Sequence, residues 1–138
     1  MSSVVPPDTN VLVIEPDETF SAAVRAALPS HHFCVETAAN GTDAWMILAT
    51  FKHEFDLIVL DLSLPDLDGL ELLAKIRRSP KNRATPVVIC TERTHRDEVA
   101  AAIRHGVRQY VVKPCAAESL AQKILGLVAH AHPAPVAV

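Results

Sequence analysis

The sequence predicts an α/β domain whose parallel sheet is covered by helices on both faces. Three observations carry this. Apolar periodicity switches five times from a short strand-like run to helical spacing. The connections between these runs are short. The third run, "FDLIVLD", is apolar on both faces, as a central parallel strand must be. Such alternation demands right-handed crossovers between parallel strands. A chain of 138 residues fits one such domain and can bury most of its apolar surface in a single core.

Taken in order, Asn10 to Ile14 is a short, β-branched-rich strand. Helical spacing begins at Asp17 and puts Phe20, Val24, Ala27 and Leu28 on one face, until Pro29 and Ser-His-His break it. Phe33 to Thr37 is the second strand. Asn40-Gly41 is a turn signal, and Ala44, Ile47, Leu48 and Phe51 make the second helical stripe. After "LPDLDG", with Asp68 as helix cap before Gly69, a third helix directs Leu70, Leu73 and Ile76 inward. Pro86 opens the strand "VVIC", and Thr94 to His105 is a helix closed by Gly106. "QYVV" is the last strand. Ala116 to Ala129 is the last helix, with Leu120, Ile124, Leu127 and Val128 facing in.

Composition excludes several classes. The net charge of −3 and pI near 6.1 point away from nucleic acid and from anionic membrane surfaces. No apolar segment is long enough to span a bilayer, and "MSSVVPPDTN" lacks the basic and apolar regions of a secretion signal. Cys34, Cys90 and Cys115 are widely spaced, odd in number and without a CxxC, so they read as reduced packing thiols of a cytoplasmic protein. Without a Gly-rich phosphate loop, nucleotide binding of the Rossmann or P-loop type is not expected. His130 and His132 read as part of a solvated tail and receive no role.

In this architecture ligands bind beyond the carboxyl ends of the strands. The residues there are Glu15 and Asp17 after the first strand, Asp61 after the third, Thr91 and Glu92 after the fourth, and Lys113-Pro114 after the fifth. The second strand ends in Ala38-Ala39 and offers nothing. Acids, a hydroxyl and an ammonium therefore converge on one edge. Asp56, at the start of the third strand, lies at the opposite edge and reads as structural.

At these residues the chain resembles the receiver domain of two-component response regulators. The carriers are "VLVIEPDE", "FDLIVLDLSLPDLDGLELL", "PVVICTE" and "HGVRQYVVKP", in order and properly spaced, from roughly Asn10 to Val128. The resemblance implies a flavodoxin-like, doubly wound (βα)5 fold with strand order 2-1-3-4-5. It sets residues 1–9 apart as an N-terminal extension, 10–130 as the receiver and 131–138 as a flexible C-terminal tail. It implies that Asp61 takes a phosphoryl group from a histidine kinase or histidine phosphotransfer protein, with Thr91 and Lys113 binding its oxygens. Such a domain is no independent enzyme, but assists its own phosphotransfer and dephosphorylation. A Mg2+ ion would be held by Glu15, Asp61 and the Ser63 backbone carbonyl. Tyr110 matches the aromatic that turns inward when Thr91 is drawn to the phosphoryl group. The fourth helix, fifth strand and fifth helix form the implied face for a downstream target. Gly69 and Gly106 match backbone positions, and Lys113-Pro114 a cis peptide that aims the lysine inward.

Two positions depart from the family pattern. Receivers carry two adjacent acids after the first strand; here the pair aligns as Glu15-Pro16, and Pro16 cannot ligate a metal through its side chain. Asp17 or Glu92 is the candidate to swing in as the missing oxygen ligand. Glu92 also adds bulk and negative charge where Ala or Gly is usual, so that Glu15, Asp61 and Glu92 would repel one another without a cation or Lys113 between them. The alternative reading is a pseudo-receiver, the same fold serving as a scaffold without metal or phosphate. A haloacid-dehalogenase-like phosphohydrolase normally has an Asp at the position of Ser63, and is disfavoured.

Overall fold

Each strand-like run forms a strand, and each helical stripe a helix. The computed structural model describes residues 9–52 and 54–131. Its elements alternate as β1 (Thr9–Ile14), α1 (Glu18–Ala27), β2 (Phe33–Ala38), α2 (Gly41–Thr50), β3 (Leu57–Leu60), α3 (Gly69–Arg78), β4 (Val87–Thr91), α4 (Arg96–Arg104), β5 (Gln109–Val112) and α5 (Ala117–Ala131). All four strand pairings are parallel, in the order β2-β1-β3-β4-β5. β1 begins one residue before the expected Asn10, and α5 runs two residues beyond Ala129. The expected extension and tail otherwise lie outside the described residues, as does His132. No described helix is long and apolar enough to cross a membrane.

The two-residue period of the strands sorts the core into two clusters. Val11, Val13, Leu57, Val59, Val88, Cys90 and Val111 face α1 and α5, meeting Val24, Leu28, Leu120, Ala121, Ile124 and Val128. Leu12, Ile14, Ile58, Leu60, Val87 and Ile89 face the other way, onto Ala44 and Leu48 of α2, Leu72, Leu73 and Ile76 of α3, and Ala102 of α4. Each fully buried Leu or Ile contributes roughly 1.5–3 kcal/mol of transfer free energy. By that measure α3, with three such side chains at 0 % exposure, is firmly seated. α4 buries only Ala102 and leaves Ile103 61 % exposed, so it is the lightly held helix.

Local chemistry sets where the helices start. The Asp17 side chain accepts the Phe20 N–H at 3.1 Å, Asn40 that of Asp43 at 2.7 Å, Asp68 that of Leu70 at 2.9 Å and His95 that of Asp97 at 3.3 Å. Asn40-Gly41 is thus a helix cap and first helical residue, where a turn was expected. The α4 boundary likewise moves in from Thr94 to Arg96. In α3 the fully buried stripe is Gly69, Leu72, Leu73 and Ile76, while Leu70 is half-buried and packs against the same core cluster. The reason is Gly69 itself: a Cβ there would lie 2.4 Å from Leu62 Cα and 2.8 Å from the Asp61 carbonyl oxygen. The helix presses its first residue against the end of β3, and the i, i+3, i+4, i+7 face follows from that contact. Gly106 has φ +74° and follows the α4 C-cap, where L side chains are disfavoured. Beside it, Arg77 of α3 donates to the carbonyls of His105 at 2.6 Å and Thr85 at 2.7 Å, tying down the C-terminal end of α4. At the far edge of the sheet Asp56 accepts the Asn10 N–H at 2.7 Å, a structural contact as expected.

Candidate functional site

Glu15, Asp61 and Lys113 each sit one or more residues past a strand end and continue the parity of the α1/α5 face. They meet at the carboxyl edge of the sheet. The Lys113 Nζ donates to Glu15 Oε1 at 2.7 Å and to Asp61 Oδ2 at 2.9 Å. Both carboxylates are buried, at 3 % and 5 % exposure. Their remaining oxygens are also engaged: Glu15 Oε2 accepts the Asp17 N–H at 3.0 Å, and Asp61 Oδ1 the Ser63 N–H at 2.9 Å. One ammonium therefore serves two buried acids. Burial pushes the Glu15 carboxyl above its ordinary range, outweighing the Lys113 and Asp17 donors that pull it down; the Asp61 charge adds to the rise. Burial alone would lower the Lys113 pKa, but its bonds to Glu15 and then Asp61 prevail and push it up. The Lys113–Pro114 peptide is cis.

Thr91 ends β4 on the opposite parity and is fully buried. Its hydroxyl accepts the Arg93 N–H at 3.4 Å. The Tyr110 hydroxyl donates to the Arg93 carbonyl at 2.7 Å, so in this structure the ring is packed under the β4–α4 loop. Burial raises the Tyr110 pKa, and the Glu98 charge raises it further.

Arg93 was not singled out in the sequence, yet it spans the mouth of the site. Its guanidinium reaches Ser63 Oγ at 3.1 Å, Asp68 Oδ1 at 3.2 Å and Glu98 Oε2 at 3.0 Å. The signal was available: adjacent parallel strands bring side by side the residues two past Asp61 and two past Thr91. Asp66 is a second anchor. It accepts Gly41 N–H and Thr42 N–H at 2.8 Å each and the Thr42 hydroxyl at 2.6 Å, which lowers its carboxyl to about 2.

Two expectations are corrected. Asp17 does not turn into the site, because its carboxylate is spent capping α1 and only its N–H reaches Glu15. Glu92 is exposed, and the charges acting on Glu15 come from Lys113 and Asp61, so the repelling group has two acids rather than three. These facts bear on the implied magnesium. Two carboxylates remain, each of their four oxygens accepts an N–H, and an ammonium already lies between them. Among the described residues no group of three or more His, Cys, Asp or Glu has the arrangement to hold a metal ion. The residues that would hold a divalent cation here are Glu15, Asp61 and the Ser63 backbone carbonyl, with Lys113 bonded to the same two carboxylates.

A family model described as the response regulator receiver domain matches residues 11–125. The chain belongs to this family. Response regulator ArlR of Staphylococcus aureus is 30% identical to this receiver over 120 residues, covering 87% of this chain and 52% of ArlR, so the chain spans about half the length of that relative. Among solved structures, the phosphorylated cyanobacterial phytochrome response regulator RcpA matches with a TM-score of 0.77 and 24% identity over 93% of this chain and 96% of its own. The Mn2+-bound form of response regulator Rcp1 matches with a TM-score of 0.74 and 23% identity over 94% and 99%. At such identities these two show the fold, the doubly wound sheet of receivers. Phosphorylation on an aspartate is the general function of the family, whose members work with histidine kinases or phosphotransfer proteins.

Proposed function

We propose that Asp61 is the phosphoacceptor of this receiver, with residues 10–130 as the signalling unit and a histidine kinase or phosphotransfer protein as donor. The observation that carries the reading is the Lys113 ammonium held 2.9 Å from the buried Asp61 carboxylate at the carboxyl edge of the sheet. An Asp61 oxygen attacks phosphorus in line, the bond from phosphorus to the donor nitrogen breaks, and the donor imidazole leaves with a proton. Catalysis of such a step rests on positioning and on charge placed at the phosphoryl oxygens. The Ser63 N–H orients Asp61, and Lys113 exchanges its bond to Asp61 for one to a phosphoryl oxygen while keeping Glu15. Thr91 donates its hydroxyl to a second oxygen. That pulls the β4–α4 loop inward and disturbs the Tyr110–Arg93 bond. The same site then hydrolyses the acyl phosphate, with Arg93 and Ser63 limiting the approach of water.

The output surface in this reading is the α4–β5–α5 face. Ile103 on α4 and Val112 on β5, 61 % and 46 % exposed, are two of the three large apolar side chains that stand out from the described surface. The light seating of α4 gives the two-state element that a local charge change can bias. Three unpaired thiols support a reducing, cytoplasmic setting. Magnesium binding is weakened in this receiver, with Lys113 supplying the positive charge that the Pro16 position cannot recruit. In an amide-shift titration, low-millimolar magnesium is expected to leave Glu15 and Asp61 unsaturated; saturation in that range would overturn this point.

Intact mass after incubation with a small acyl phosphate and magnesium tests the acceptor. One phosphoryl addition, lost in Asp61→Asn, is the expected result; an addition that persists in the variant would assign the acceptor elsewhere. No addition, from the acyl phosphate or from kinases, would favour the scaffold reading, for which Pro16 and Glu92 speak.

A further inference from the structure

The three cysteines look alike in the sequence but not in the fold. Cys34 lies on β2, at the edge of the sheet, with β1 and β3 between it and β4. Cys90 immediately precedes Thr91 on β4, and Cys115 follows Lys113-Pro114 after β5. Parallel pairing sets Cys90 against Val111 and Thr91 against Val112, so the chain leaving β5 returns past Cys90. The Cys90 and Cys115 Sγ atoms are 3.7 Å apart, in S–H···S contact. Cys90 is 1 % exposed, whereas Cys115 is half-buried and packs against the same α1/α5 core cluster. A disulfide bond is about 2.05 Å long, so closure asks the sulfurs to approach by about 1.7 Å, within reach of small side-chain rotations.

We propose that Cys90 and Cys115 are a modification site: a dithiol that closes reversibly to a disulfide beneath the Lys113 end of the site when a peroxide-class oxidant reaches it. The Cys115 thiolate attacks one peroxide oxygen and the O–O bond breaks, giving a sulfenic acid and a hydroxide that takes up the thiol proton as water. The Cys90 sulfur then attacks the sulfenic sulfur, the S–O bond breaks, and the hydroxyl leaves with the Cys90 proton as a second water. Two thiols lose two electrons and hydrogen peroxide becomes two waters; a dithiol reductant reverses the step by exchange. Exposure makes Cys115 the thiol that meets the oxidant. Cys90 is the resolving partner, its own ionisation opposed by burial and by its neighbour Cys115.

The cross-link would join the residue before Thr91 to the segment after Lys113. On the Asp61 reading above, it restrains the Thr91 shift that signals phosphorylation, so oxidised protein is expected to take up phosphoryl groups without displacing the Tyr110 amide. Formation of the bond itself does not depend on that reading.

Freshly reduced full chain is treated with hydrogen peroxide, alkylated, and mapped without reduction. The expected result is loss of two alkylatable thiols, one linked peptide pair containing Cys90 and Cys115, and recovery with dithiothreitol. The link should vanish in Cys115→Ala and persist in Cys34→Ser. If all three thiols remain alkylatable, if links run through Cys34, or if Cys115 passes to sulfinic acid without joining Cys90, the proposal fails. Because Cys90→Ser alters the core, Cys115→Ala is the deciding variant. Acyl-phosphate labelling of reduced Cys115→Ala keeps the two ideas apart. Labelling without any cross-link in the parent protein overturns the disulfide alone. A cross-link without labelling overturns the Asp61 reading alone.

Discussion

Replacing Lys113 by Met keeps the aliphatic stem and deletes the charge that two buried carboxylates share. In the native site the ammonium makes bonds of 2.7 and 2.9 Å to side chains only 4 % and 7 % exposed. Removing one partner of a buried ion pair costs roughly 3–5 kcal/mol, because the other charge is left uncompensated. The lysine side chain is 17 % exposed, so water moderates the loss, and about 3 kcal/mol is expected near neutral pH. The variant has an escape: one of the two acids takes up a proton. Glu15 is already pushed above its usual 4.5 with the lysine present and rises further without it. A folded pKa above the unfolded one means that folding binds a proton, so stability grows as pH falls towards 4.5, by up to about 1.4 kcal/mol per pH unit. The deficit relative to the native chain should therefore shrink as pH falls from neutral towards 5. Lys113 gives no competing slope there. Its own pKa is raised, so its contribution is lost only as pH climbs above 10.5. Urea unfolding followed by circular dichroism at both pH values measures the deficit, and adding Glu15→Gln to the variant should recover part of it. A deficit that is independent of pH, or below about 1 kcal/mol at neutral pH, would refute the shared-ammonium argument.

Other consequences follow from the anchors around the site. Gly69→Ala forces a Cβ to within 2.4 Å of backbone and should cost about 3 kcal/mol or more in urea unfolding, whereas Gly106→Ala meets no atom within 4 Å and should cost only about 1 kcal/mol, from its positive φ. Asp66→Ala should speed hydrogen exchange at the Gly41 and Thr42 amides and lower stability. Its carboxyl is depressed to about 2, so the stabilisation is present above 3.8 and fades as pH falls towards 2, where native and variant should converge. Arg93→Ala, removing half-exposed ion pairs, should change stability by less than about 1 kcal/mol while shifting the Ser63 and Glu98 amide resonances; unmoved resonances would mean that the guanidinium does not bridge the loops in solution.

What could be read ahead of the structure followed from burial and period. β3 was legible because both of its faces are covered, leaving an unbroken apolar run, and the strand ends named Glu15, Asp61, Thr91 and Lys113 together. The errors arose where a contact distant in sequence overrode a local pattern. Leu70 and Leu72 are equally apolar, and the press of Gly69 on Leu62 sets Leu72 fully inside while Leu70 lies half-buried against the same core. Asp17, beside Glu15 in the sequence, suggested a third acid for the site, yet an extended Asp before a helix finds its own backbone donor first. Arg93 carries no motif of its own; its importance lies in the loops that it bridges. Cys90 and Cys115 were likewise brought together by a strand pairing that no spacing rule reveals.

The anchoring of the β3–α3 loop divides the rim of the site into unequal jaws. On one side, Gly69 is wedged against Leu62, Asp66 clasps the start of α2, and the Ser63 N–H holds Asp61. On the other, the β4–α4 loop is latched across the gap by a single guanidinium and by one tyrosine hydroxyl on its backbone. Strain applied at Asp61 has one compliant direction, and it leads past Arg93 into a helix clamped at its C-terminal end by Arg77. A helix held at that end is expected to move most at its first turn, Arg96 to Val99, so a spectroscopic label there should report the state of the site more sensitively than one beside Gly106.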